Sequence, residues 1–284
     1  MKINLECFPC FLRQTVTALS QLDLDDDRRC DIIGDVLCVL KDSDFNKPPA
    51  YATTFMYRTI KKATGQDPYA AMKRKYNEFA LSLYPGLRER VLKSAYPLWS
   101  AARIAIAGNI IDFGIYESFD VEKTIERALE DTIEVDDFDF FKAELHRHDE
   151  VLYLLDNAGE IVFDRLLIMI LAEMNKRVTA VVKGSPVIND ATMEDAVEAG
   201  IERHCRVIDN GTDAVGTDME FCSPEFIEEY NRHSIVISKG QGNFETLELQ
   251  DKNIFFLFQA KCDVIASHLN LTKGSMLLKG RFKP

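Results

Sequence analysis

The sequence predicts an α/β protein: a helical N-terminal domain over residues 1–100, then a three-layer α/β/α domain over residues 101–284 with a mainly parallel sheet of about five strands. Three observations lead there. Up to about residue 100 apolar residues recur at helical spacing, with Phe11, Val16 and Leu19 in one segment and Ile32, Ile33, Val36 and Leu40 in the next. After residue 150, short apolar runs end in polar loops and alternate with helical patterns, as parallel strands joined by crossover helices do. The clearest run is 151–160, VLYLLDNAGE. Five largely apolar residues stop at Asp156, Asn157 and Gly159, and Ile161, Leu166, Leu167, Ile170, Leu171 and Met174 then follow a helical period.

In chain order, breaks at 22–27, 43–49, 64–68 and 84–86, marked by acidic clusters, Pro and Gly, divide the first hundred residues into a bundle of helices. CFPC at 7–10 has the spacing of half a metal knuckle or of a redox pair, but no second CxxC follows. Cys262 or Cys205 is available as a third thiolate; otherwise Cys7 and Cys10 are ordinary small residues of a first helix. Residues 101–114, AARIAIAGNIIDFG, read as an Ala/Ile-rich helix meeting Gly108. Asn109 and Asp112, three apart on one face, are placed to position a ligand or to cap a helix. The acidic, amphipathic stretch 117–150 is expected to form one or two helices, and its His146 and His148 are assigned no role.

Beyond the elbow at 156–160, RVTAVV at 177–182 is a second strand, ending in a loop with Asn189, Asp190 and Thr192. Residues 205–208 form a third strand, followed by DNGTDAVGTD. SIVIS at 234–238 is the fourth, running into KGQGNFE, where Lys239 brings charge and Gly240 and Gly242 let backbone amides approach an anion. NIFFLF at 253–258 is the fifth, with Lys261 just past its end. In an open parallel sheet the carboxyl ends of the strands border the ligand crevice, so these loops share one rim.

Composition narrows the chemistry. With 34 basic against 46 acidic residues, a net charge of −12 and no Lys/Arg block among aromatics, nucleic acid is not an expected partner. No apolar run reaches the roughly 20 residues of a membrane span, and the N-terminus lacks a signal-peptide core, so a cytoplasmic protein without a membrane partner is expected. Seven scattered cysteines argue for reduced thiols. At the rim, Asp156, Asn157 and Asp190 are hard oxygen donors without His or Cys beside them, which suits Mg²⁺, Mn²⁺ or a similar cation better than zinc. Carboxylates that hold a metal, beside Lys239, Lys261 and glycine amides that hold an anion, are what hydrolysis of a phosphate ester requires.

Together, DNAGE at 156–160, VIND ending at Asp190, AGNIIDFG at 107–114, KGQGNFE from Lys239 and KCD from Lys261 resemble the metal-dependent damage-control phosphatases. That family, once of unknown function, is related to acidic-residue methyltransferase 1-like proteins. The resemblance spans most of the chain and is nearest the prokaryotic branch, which includes archaeal members and shares the N-terminal CxxC. It implies a helical domain on an α/β/α domain, metal ligands at Asp156, Asn157 and Asp190, and a phosphate-contacting lysine at Lys261. The KCD here stands where eukaryotic relatives carry a KAD-type motif, so contacts specific to that branch are not carried over.

The expected cofactor is a divalent ion, manganese, cobalt, nickel or magnesium, and the expected substrate a small phosphorylated metabolite attacked by metal-activated water. Catalysis is assigned to Asp156, Asn157, Asp190 and Lys261. Asn109, Asp112, Gly159, Glu160, Lys239, Gly240 and Asn243 form the candidate substrate-binding set. The competing readings are an adenosylmethionine-dependent carboxyl methyltransferase and a metabolite-binding protein without turnover. Against the first, only one glycine follows Asp156 before the helix, and the second strand ends in Lys183 where an acid would grip a ribose. Oligomeric state is not legible.

Overall fold

The computed structural model describes residues 1–110, 125–126, 129–130 and 132–282. Three helices, α1 (Cys7–Ser20), α2 (Asp26–Lys41) and α3 (Pro49–Thr64), pack around Phe11, Leu19, Ile32, Val36, Leu40, Met56 and Tyr57. Their ends follow local chemistry. Asp25 caps α2 by accepting from the Arg28 amide at 2.7 Å, Pro49 opens α3, and Gly65 closes it at φ 67°. Val16, expected on the buried face of α1, is 56% exposed, and Thr15 is buried instead. Phe11, Thr15, Ala18 and Leu19 span a single stripe at i, i+4, i+7 and i+8, from which Val16 is rotated away.

The break expected at 84–86 does not occur, because α4 runs from Ala70 to Lys93 through Pro85. An interior proline costs about 3 kcal/mol. Past it, however, Leu87 and Val91 are buried with Tyr84 in the same core as the sheet, and burying each such side chain contributes about 1.5–3 kcal/mol, which offsets the loss. Helix α5 (Pro97–Ile110) joins the same core.

The sheet has seven strands: β1 (Val135–Asp136), β2 (Glu150–Leu154), β3 (Arg177–Val182), β4 (Arg206–Asp209), β5 (Ile235–Lys239), β6 (Asn253–Gln259) and β7 (Met276–Gly280), in the order β1-β7-β6-β5-β2-β3-β4. All pairs are parallel except β6 with β7. The five expected strands are β2 to β6; β1 and β7 were not foreseen, since two residues of β1 and the MLL of β7 are too short to show a period.

Helix α6 (Phe138–Arg147) lies in the acidic stretch before β2. Side chains alternate across the sheet: Val151, Tyr153 and Leu155 face the core under α5 and α7 (Glu160–Glu173), while Leu152 and Leu154 face the opposite core. That second core is closed by α9 (Pro224–Arg232), α10 (Gln241–Leu247) and α11 (Asp263–His268); α8 (Met193–Ala199) follows β3 on the first side. From β2 the chain winds outward to β3 and β4, then returns to β5 and β6 on the other flank, so the topological switch lies between β2 and β5. Asp156 follows one of these strands and Gly240 the other. Among the described residues no helix is long and apolar enough to cross a membrane.

Candidate functional site

The elbow after β2 is stitched to the loop after β3. The Ala191 amide donates to the Asp156 carbonyl at 2.7 Å, the Ala158 amide to the Asn189 carbonyl at 2.9 Å, and Asn157 bridges Asp190. Asp156, Asn157 and Asp190 are thereby neighbours, although 34 positions separate the first from the last. Gly159, at φ 77°, starts α7, and its amide donates to Asn77 Oδ1 at 2.7 Å. Gly159 therefore turns the chain, with its donor already used.

Asn109, at the end of α5, reaches the same point. Its Nδ2 donates to Asp156 Oδ2 at 3.1 Å and to Glu160 Oε2 at 3.0 Å, and the Asn157 Nδ2 donates to the same two atoms at 2.6 and 3.0 Å. The Asn109 Oδ1 accepts from the Gln259 amide at 3.2 Å, which ties α5 to the end of β6. Asp112 lies outside the described residues.

Behind this layer Lys239 is fully buried. Its Nζ donates to Glu160 Oε1 at 2.6 Å, Asp164 Oδ1 at 2.7 Å and the Ala105 carbonyl at 2.8 Å, and Tyr153 donates to Asp164 Oδ1 at 2.7 Å. The expectation that Lys239 meets an anion in the crevice is corrected here: all three of its protons have acceptors inside the protein. Asn243 is likewise engaged, donating to the Lys239 carbonyl at 2.7 Å and accepting from Thr217 Oγ1 at 2.7 Å, so it braces the β5 turn and is not free for a substrate.

Electrostatics set the acids apart. Burial, then the Glu160 and Asp190 carboxylates, push the Asp156 carboxyl well above its usual range. Burial also raises Glu160, but the Lys239 ammonium overcomes this and holds it below the ordinary value. Asp190 is raised by burial against the pull of Lys183, and Asp164 is pushed up to about 7, again by burial opposed by Lys239. Beyond an ion pair with Lys183 at 3.4 Å, the buried Asp190 Oδ2 accepts no hydrogen bond. The Lys183 ammonium itself donates to the Gly216 carbonyl. Lys261 is exposed; its amide donates to Gln241 Oε1 at 3.1 Å, while its ammonium, among the described residues, makes no hydrogen bond or ion pair yet lies within electrostatic reach of Asp156 and Glu160.

The donor set fits a hard divalent ion. Half-buried Asp156, buried Asp190 and the amide of Asn157 beside them offer oxygen donors, and the Asp190 Oδ2, which accepts no hydrogen bond, has lone-pair capacity left beside its ion pair with Lys183. Among the described residues no three His, Cys, Asp or Glu side chains form a ligand cluster; a cation held here would take the two carboxylates and the Asn157 amide oxygen. Gly240 contributes by what it lacks. At φ 79°, a Cβ there would lie 2.0 Å from Asp156 Oδ2. Gly240→Ala is therefore expected to destabilise the fold by about 1–3 kcal/mol from backbone strain alone and to displace the Asp156 carboxylate. Thermal unfolding with and without Mn²⁺ checks this: a variant that still gains stability from the metal would contradict it.

Sequence reading missed Lys73 and Asn77 on α4, which bind Asp195 at 2.9 Å each from the helical layer, and Asp164. Asp164 had a readable signal: it is an acid four residues after Glu160 in a largely apolar helix. Lys73 and Asn77 look like any polar pair on a helix. Beside the Asp190 loop, Lys73, Arg74, Lys183, Thr192, Asp195 and Asp209 line a cleft of about 490 Å³.

Cys7 and Cys10 occupy the first turn of α1. Cys7 is buried in the α1–α3 core, which raises its thiol, and the exposed Cys10 accepts from Gln14 Nε2 at 3.3 Å. Cys262 is near enough to add to the Cys7 shift, while Cys205 contacts the Ile201 carbonyl at 3.7 Å. Neither N-terminal thiol touches the rim acids, so the double variant Cys7→Ser, Cys10→Ser is expected to match the parent chain in an assay for release of phosphate from phosphomonoesters. Loss of turnover at unchanged stability and metal content would place the pair in the catalytic machinery.

Residues 3–277 match the damage-control phosphatase ARMT1-like domain. The chain is 37% identical over 290 residues to the damage-control phosphatase of Pyrococcus horikoshii, with both proteins covered in full. It is 31% identical to a damage-control phosphatase of Archaeoglobus fulgidus, covering 98% of this chain and 99% of the relative. The crystal structure of a DUF89 family protein from Pyrococcus horikoshii superposes with a TM-score of 0.93 at 34% identity, over 99% of this chain and 100% of that one.

Proposed function

The chain belongs to the damage-control phosphatase ARMT1-like family, and on that premise we propose that it is a metal-dependent phosphatase hydrolysing small phosphorylated metabolites, such as sugar phosphates or damaged phosphometabolites. One observation carries the reading. Half-buried Asp156 and buried Asp190 meet at the ends of two neighbouring strands, and Lys261, whose ammonium makes no hydrogen bond or ion pair among the described residues, lies within electrostatic reach of Asp156 and Glu160. A cation and a phosphate complete that pattern.

The ion is assigned to Asp156, Asn157 and Asp190, with manganese, cobalt, nickel and magnesium as candidates. Held there, such an ion would supply Lewis acidity toward a phosphoryl oxygen and toward a water. The protein's own residues do the rest. Asn109 and Asn157 orient the Asp156 and Glu160 carboxylates with four hydrogen bonds, so neither acid has to reorganise during turnover. Lys239, itself held by Asp164, fixes Glu160 from behind. Lys261 takes a phosphate oxygen and counters charge on the transferring group.

The test is a panel of phosphomonoesters with each of the four metals, following free phosphate, alongside calorimetry with adenosylmethionine. Phosphate release that depends on metal supports the reading. Absence of release with every metal, or binding of adenosylmethionine instead, overturns it.

A further inference from the structure

The side chain that holds Lys261 in place comes from the other flank of the switch point. Gln241, the first residue of α10, accepts the Lys261 amide proton at its Oε1 (3.1 Å), and its Nε2 donates to Glu245 Oε1 at 3.1 Å and touches Cys262 Sγ at 3.7 Å. Glu245 is buried one turn later, and its second oxygen accepts from the Ala50 amide at 2.9 Å. Ala50 is in the first turn of α3, where Pro48 provides no side-chain cap, so Glu245 satisfies an amide that the helix leaves open and places negative charge at the positive end of its dipole. Burial pushes the Glu245 carboxyl up to about 7, against the pull of the Gln241 and Ala50 hydrogen bonds, so these two donors are what the carboxyl has in exchange for water. The result is a continuous chain: α3, Glu245, Gln241, then the Lys261 backbone.

We propose that Gln241 is a positioning residue for Lys261, anchored through Glu245 to the N-terminus of α3, so that the helical layer sets where the Lys261 ammonium reaches. The catalytic consequence rests on the phosphatase reading. The Lys261 side chain has no hydrogen bond of its own among the described residues, so its reach is governed by the main chain from which it extends, and the Gln241 bond is a side-chain restraint on the Lys261 amide itself, as the Asn109 bond is on the Gln259 amide two residues earlier. Misplacing a charged group by about 1 Å at a reacting centre can cost up to about a hundredfold in rate.

Gln241→Met keeps nearly the same volume and removes both polar contacts. With p-nitrophenyl phosphate and Mn²⁺ it is expected to lower kcat/KM about tenfold, with Mn²⁺ affinity by calorimetry unchanged. Placed in a Lys261→Ala background it should change kcat/KM less than about twofold, because the residue it acts through is gone. An equal loss in both backgrounds, or no loss in the parent background, overturns the proposal. Hydrogen exchange gives a readout that needs no activity: the Lys261 amide should exchange about tenfold faster in the variant, and unchanged exchange refutes the positional role. If the parent releases no phosphate at all, the phosphatase reading fails and the exchange experiment still decides the contact. Gln241→Ala serves as the second variant should Met disturb the fold, with the same outcomes required.

Discussion

Asp156→Asn is expected to lower phosphate release by roughly a hundredfold or more while leaving the fold intact. The replacement amide has nearly the same shape, and its oxygen can accept the hydrogen bonds that Asn109 and Asn157 donate at 3.1 and 2.6 Å. What disappears is charge. The ligand set Asp156, Asn157 and Asp190 falls from a formal −2 to −1 where Lys183 and Lys261 already oppose a cation, so the divalent ion should bind more weakly, by more than the roughly 10–100-fold that loss of an outer-shell partner costs. Burial and the neighbouring Glu160 and Asp190 disfavour the Asp156 carboxylate, so neutralising it should leave the metal-free protein equally or more stable. The measurement is unfolding with and without Mn²⁺, beside calorimetry and turnover. In the parent, metal at a hundred times its Kd adds about 2.7 kcal/mol; the variant should lose most of that, and excess metal should restore part of its activity. A purely structural role would give a different pattern. The N-cap of α7 is Gly159, with no side-chain cap, so Asp156 is not there to begin that helix. Equal metal affinity and equal turnover would sink the metal-site assignment and the hydrolase reading with it.

Lys261→Ala should be nearly as damaging to turnover and harmless to folding. The side chain is exposed and, among the described residues, bonds to nothing, and surface substitutions of this kind usually change stability by no more than about 0.5 kcal/mol. Removing a preorganised donor to a developing charge typically costs about 10²–10³ in kcat. Metal affinity should hold or improve slightly, because a cation that opposes the ion has gone. Metal-loaded, folded Lys261→Ala that hydrolyses phosphomonoesters at the parent rate would show that the phosphate is held elsewhere. Opposite effects on metal affinity thus separate this variant from Asp156→Asn, although both are slow.

Strand, elbow and helix at 151–174 could be read directly, because an apolar run of five, a polar break and a 3.6-residue period are local patterns that any buried strand and covering helix must show. The same holds for the β3 loop with Asp190, since a parallel strand's carboxyl end faces the crevice whatever surrounds it. Tertiary structure decided what local cost and chemistry could not. Pro85 reads as a stop because its penalty is written in the sequence, whereas the compensating burial of Tyr84, Leu87 and Val91 depends on a core shared with α5 and α7. Lys239 at a strand end reads as a cation facing an anion at the rim, yet its three acceptors, Ala105, Glu160 and Asp164, come from 134, 79 and 75 positions away, and their convergence buries it. Asn77 meets the Gly159 amide across 82 positions, and Glu245 meets the Ala50 amide across 195. Periodicity reports which face of an element is buried; which polar groups meet there depends on how distant elements pack, and a buried donor or acceptor must find its partner wherever that packing puts one.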